Sequence, residues 1–65
     1  MNDDQRLTFM TLVQSAIWES EQSTTAAGRY YWHGYAMGLT MAISDLEYAA
    51  RLQRLVKEAL KGEFP

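Results

Sequence analysis

Apolar and polar positions recur with helical period along most of the chain. Between Asp4 and about Ser20, Phe9, Met10, Leu12, Val13, Ala16 and Ile17 fall on one side of a helical wheel, and Thr8, Thr11, Ser15 and Glu19 fall on the other. This pattern predicts an amphipathic helix over about 4–20. Asp3 or Asp4 is the expected N-cap, because a carboxylate there accepts free backbone N–H groups and meets the positive end of the helix dipole. Leu7 and Trp18 share the edge of the apolar stripe. Both are candidate contacts with a second chain.

The polar stretch from Glu19 to Thr25 reads as a connection, with Ser23, Thr24 or Thr25 available to cap the next helix. Beyond it, Trp32, Ala36, Leu39, Ile43, Leu46 and Ala50 recur at alternating spacings of four and three, the pattern of a helix seam that meets another helix. That phase runs unbroken past Ser44, so the pattern favours one long helix over about 25–61. Ser44-Asp45-Leu46-Glu47 fits a capping box and marks where this helix would break if it breaks. From Leu46 onward Tyr48, Ala49, Leu52, Leu55, Val56, Ala59 and Leu60 share one face, while Arg51, Arg54, Lys57 and Lys61 share the other, and Gly62 is the expected stop. The only proline is Pro65, and β-branched residues are sparse outside Ser23-Thr24-Thr25. The expectation is therefore an all-α single domain over 1–65, a helical hairpin with a short and a long arm assembling into a dimeric helical bundle.

Composition supplies the reason for expecting assembly. Of 65 residues 48% are hydrophobic, including two Trp, four Tyr, two Phe and four Met. A chain this short buries only about 60% of the surface its unfolded form exposes. No cysteine is present, which excludes disulfides, thiol nucleophiles and cysteine-ligated metals, the usual staples of small domains. The apolar surplus is expected to be buried against another chain, either a copy of this one or a target. The net charge of −2 offers no excess of positive charge for phosphates, so nucleic acid is disfavoured as a partner. The N-terminus lacks the basic start and apolar run of a signal peptide, and no apolar stretch is long enough to span a bilayer. A cytoplasmic protein with no membrane partner is expected, and the start at Met1 reads as a whole small open reading frame.

The distinctive segment is Arg29-Tyr30-Tyr31-Trp32-His33-Gly34-Tyr35-Ala36-Met37-Gly38. Tyr30, Tyr31, Trp32 and His33 occupy four consecutive positions, which point all round a helix and cannot all face one core. Together with Tyr35 and Trp18 they are the candidate partner-binding residues, since aromatic side chains with a polar tip are the usual anchors of protein interfaces. Gly34, Gly38 and Ala42 recur every four residues. Two glycines one turn apart are unfavourable in a helix unless they permit close helix approach, either to the first helix or across an oligomer seam that also involves Leu7.

Nothing names a reaction. His33 has no carboxylate three or four positions away to orient it as a base, and no phosphate loop is present. No catalytic residue, metal or cofactor is expected. The leading expectation is a non-enzymatic helical interaction protein that works as a homo-oligomer and binds and modulates a protein target by inhibition or sequestration. A second reading is a small-ligand or nucleotide-binding oligomer in which aromatic faces stack on a base and Arg29, Arg51 or Arg54 contacts the anion. A third is a DNA-binding regulator acting through the C-terminal arm, although the acids Asp45 and Glu47 would open its recognition helix. In size and composition the chain is similar to small helical regulators of bacteria and phages, a likeness that no motif carries.

Overall fold

The computed structural model describes residues 1–60, the Leu60 side chain excepted, and is all-helical: α1 (Asp3–Gln22), α2 (Ala26–Met41) and α3 (Leu46–Leu60). The expected contributions of Lys61 and Gly62 to the last helix lie outside the described residues.

Asn2, not Asp3 or Asp4, caps α1. Its side chain accepts from the Gln5 N–H at 2.8 Å, and the Gln5 side chain accepts in return from the Asn2 N–H at 3.0 Å. This reciprocal pair satisfies two free donors at once, and it leaves Asp3 and Asp4 in the first turn, where their charge still meets the dipole. The helix also continues through Glu19–Gln22, which the polar pattern assigned to the connection. The turn is thereby reduced to Ser23, Thr24 and Thr25. Ser23 closes α1, its N–H and its hydroxyl both donating to the Glu19 carbonyl, and Thr25 opens α2 by accepting the Gly28 N–H at 3.0 Å. A turn this short returns α2 along α1, and these two helices form the most extensive pairing in the molecule.

The long arm is broken, and the hairpin expected from the continuous seam is instead a bundle of three helices. α2 ends at Met41, and the Ala42 and Ile43 N–H groups tighten the exit by donating three residues back, to Leu39 and Thr40. Asp45 then accepts the Tyr48 N–H at 3.1 Å and starts α3, one residue later than the Ser44-to-Glu47 capping box implied. The seam residues Trp32, Ala36, Leu39 and Ile43 are buried or half-buried as their spacing requires, but Leu46 is 80% exposed and Ala50 is also exposed. A straight helix from 26 to 60 would be about 50 Å long, whereas the longest dimension of the molecule is 36 Å. Breaking the helix lets Ala49, Leu52 and Val56, spaced three and four apart, fold back onto the other two helices.

The resulting core is Val13, Ala16, Ile17, Ala36, Ile43, Ala49, Leu52 and Val56. Alanine fills three of these eight positions, and among the described residues no aromatic side chain is fully buried. Phe9, Met10, Trp32, Met37, Leu39 and Tyr48 pack around the margin. Ser20 and Thr40 are the buried polar residues among those described. The Ser20 hydroxyl donates to the Arg29 carbonyl and the Thr40 hydroxyl to the Met37 carbonyl, so neither leaves an unmet polar group inside. Among the described residues no helix is long and apolar enough to cross a membrane.

Candidate interaction surface

The chain carries no Asp, Glu, Lys or Arg from residue 30 to residue 44, and α2 occupies most of that run. With Ala36 and Thr40 turned to the core, helical geometry sends Ala27, Tyr30, Tyr31, Gly34, Tyr35, Gly38 and Met41 outward, and all of them are exposed. The solvent side of α2 is thus free of full charge along its length. Gly34 and Gly38 form its low centre line, with Tyr30 and Met41 standing on one flank and Tyr31 and Tyr35 on the other.

The four consecutive ring positions divide accordingly. Tyr30 and Tyr31 project outward, 59% and 61% exposed, while Trp32 is half-buried against the core and His33 is half-buried. Tyr31, Trp32 and Tyr35 form one ring cluster. The Trp32 ring meets Tyr31 edge-on at 5.0 Å and Tyr35 at 5.5 Å, and Tyr31 and Tyr35 stack at 6.4 Å. Such pairs fix ring orientation before any partner arrives, which lowers the entropy lost on binding. Trp18 and Leu7 are also exposed, but on α1, eleven residues or about 16 Å apart along the helix. They form no continuous patch with each other.

Close packing of Gly34 and Gly38 against α1 is not found. A methyl group added at either glycine would meet nothing within 4 Å, and Ala42 is likewise exposed. The glycine that does permit close approach within the chain is Gly28, where an added Cβ would lie 3.0 Å from the Ser23 hydroxyl oxygen and 3.1 Å from that of Thr25. Its role depends on the turn geometry, and it follows no repeat that the sequence displays.

Of the candidate anion contacts, Arg51 and Arg54 share a groove and Arg29 stands apart from them. Arg29 donates to the Ser23 carbonyl at 3.3 Å and is half-buried at the α1–α2 turn. Arg51 and Arg54 border a groove of about 450 Å³ between α1 and α3, lined also by Met10, Leu52, Leu55 and Glu58. Arg51 also reaches the recess around Arg6 and Asp45, at the far end of the bundle from Arg29. The aromatic cluster lines neither groove. Among the described residues no group of three or more His, Cys, Asp or Glu side chains gathers to hold a metal.

One polar cluster escaped the sequence pattern. The Arg6 guanidinium pairs with Asp45 at 3.2 Å and lies over the Tyr48 ring, 5.7 Å from its centre. The Tyr48 hydroxyl donates to the Arg6 carbonyl at 2.8 Å. This clamp ties the start of α1 to the α2–α3 joint. The Tyr48 N–H, assisted by the Arg6 guanidinium, holds the Asp45 carboxyl below its ordinary pKa, against an opposing effect of partial burial. Asp45 is visible in the sequence as a helix-start residue, but a partner 39 positions away leaves no local signal. No protein-family model, no curated protein and no solved structure matches the chain.

Proposed function

We propose that the protein is a non-enzymatic, cytoplasmic helical interaction protein, which associates with itself and binds and modulates a partner polypeptide by inhibition or sequestration. The observation that carries this reading is the charge-free outward face of α2 with its exposed tyrosines and Met41. Exposed helix faces ordinarily carry charge, because charged groups keep their hydration there. A face without charge avoids the desolvation penalty that burial would impose. Tyrosine and methionine are also enriched where interfaces are buried most fully, and a tyrosine hydroxyl can remain hydrogen-bonded at the rim. An apolar helical face of this length suits another helix.

The stacked-base and DNA readings draw no comparable support. Arg29 is occupied at the turn, away from Arg51, and the bases Arg51, Arg54 and Lys57 of α3 are flanked by Glu47 and Glu58.

The test is photo-crosslinking in cells. A photoreactive benzoylphenylalanine replacing Tyr31 is expected to couple to a polypeptide, and the adduct is expected to disappear when Gly38→Arg is added. The same probe replacing the exposed Lys57 on α3 is the control. Equal labelling from both positions would sink the reading.

A further inference from the structure

We propose that the outward face of α2 is occupied by a second copy of itself, laid antiparallel and centred between Gly34 and Gly38. This rests on the interaction reading above and names its partner.

Charge is the first argument. Two copies each carry a net charge of −2, and the outward side of α2 is a face on which they can meet without bringing any full charge into the contact. α2 also has no acidic residue in its first turn and no basic residue in its last. α1 already runs antiparallel to α2 within the chain, and an antiparallel copy repeats that head-to-tail arrangement of dipoles on the opposite side of α2.

Register is the second. A twofold axis perpendicular to an antiparallel pair brings like flanks together, and an axis at the level of residue 36 sets Gly34 against the partner's Gly38. On one flank Tyr30 then meets the partner's Met41, a ring against a polarisable thioether. On the other flank Tyr31 meets the partner's Ala42, a large side chain over a small one. Both pairings arise from the single axis that superposes the glycines. Open space above Gly34 and Gly38 lets the two backbones approach closely.

Area is the third. Tyrosines bury roughly 150–250 Å² each when fully covered, so Tyr30, Tyr31 and Tyr35 at their observed exposures contribute roughly 300 Å². Met41 and the bared backbone at the glycines bring the face to the order of 500 Å² per copy, the lower edge of specific interfaces. The dimer is accordingly reversible and its population depends on concentration.

Because the chain has no cysteine, introduced thiols report cleanly. Tyr30→Cys and Met41→Cys variants, mixed and oxidised, are expected to link to each other. Tyr30→Cys alone is not expected to link to itself, since its two copies stand about 18 Å apart in this register, beyond disulfide reach. Light scattering of the unmodified chain should rise from 7.5 kDa towards twice that mass with concentration. Gly38→Arg, at a position open to solvent, should remain helical and monomeric. Self-linking of Tyr30→Cys as fast as the mixture, a helical monomer at every concentration, or a dimeric Gly38→Arg would each overturn the proposal. A monomer whose probe at position 31 still couples to another polypeptide would remove the second copy and self-association and leave only the binding of a partner polypeptide. A probe that couples to nothing would remove both.

Discussion

α2 and α3 are nearly equal in length, 16 and 15 residues, and pack on the same core, yet they meet solvent in opposite ways. α3 turns its charged residues to solvent, with Leu46, Ala50 and Leu55 exposed beside them. Ala49, Leu52 and Val56 face inward, and Glu47, Arg51, Arg54, Lys57 and Glu58 face water. Glu47 stands four residues before Arg51 and Glu58 four after Arg54, so the face is hydrated and partly self-compensated. α2 turns Ala36 and Thr40 inward and then presents tyrosines, glycines and Met41 outward with no charge among them. Attachment to the core therefore does not determine what a helix offers on its other side. α3 presents charge to solvent along its length, while α2 has a charge-free apolar side that the described residues leave uncovered.

The sharpest way to break this comparison is to delete one apolar side chain from each face. Leu52→Ala on the inner face of α3 removes the largest fully buried side chain and should cost about 2–5 kcal/mol, enough to unfold most of a chain with so small a core. Tyr31→Ala on the outer face of α2 should cost less than about 1 kcal/mol, since the ring is exposed and only its ring contacts are lost. Urea denaturation compares the two directly. Similar losses would show that the outer face of α2 belongs to the fold after all.

The glycines sharpen the same contrast through its sign. No described atom lies near a methyl group added at Gly34 or Gly38, so Gly34→Ala with Gly38→Ala should raise the stability of the folded monomer by up to about 2 kcal/mol through helix propensity. If α2 meets another helix at these positions, the same double variant should bind that helix more weakly. Thermal denaturation in dilute solution and mass at high concentration measure the two effects separately. A loss of monomer stability would contradict the open placement of both residues.

The sequence pattern makes most of each helix legible, because burial of Val13, Ala16 and Ile17, of Ala36, or of Leu52 and Val56 follows from periodicity within one element. The place of the break between α2 and α3 is legible in the Ser44-to-Glu47 capping pattern, but the seam favours the unbroken helix over it for a specific reason. Leu46 and Ala50 happen to prolong the phase of Trp32, Ala36, Leu39 and Ile43, so local spacing favoured a continuous helix. What accompanies the break is a long-range set of contacts, Arg6 with Asp45 and Tyr48, which no local pattern records. The candidate surface divides in the same way. The charge-free run and its consecutive aromatics are plain in the sequence, whereas the outward placement of Tyr30 and Tyr31, and the empty space over Gly34 and Gly38, depend on how α2 is rotated against α1.

A smaller effect separates the starts of the two helices. Thr25→Ala removes the acceptor for the Gly28 N–H and should lower stability by about 1 kcal/mol. Urea denaturation should show the loss at neutral and acid pH alike, because a hydroxyl cap does not titrate.

The start of α3 should behave differently, since its cap is a carboxylate. The Asp45 pKa is lowered from its ordinary value near 3.8, chiefly by the Tyr48 N–H and then by Arg6. A lowered folded-state pKa means that the unfolded chain takes up its proton first as acid is added. The stabilisation is therefore fully present above the ordinary value and is lost as pH falls through the lower folded value. In an NMR titration the Tyr48 amide should shift with a midpoint below 3.8, while the Gly28 amide at the start of α2 stays still. Asp45→Asn, which keeps an acceptor oxygen but cannot ionise, should abolish the Tyr48 titration and flatten the decline of thermal stability in acid. A midpoint at or above the ordinary value, or Gly28 and Tyr48 moving together, would mean that the Arg6–Asp45–Tyr48 clamp does not secure the joint, and that α2 and α3 differ in their outward faces but not in how they begin.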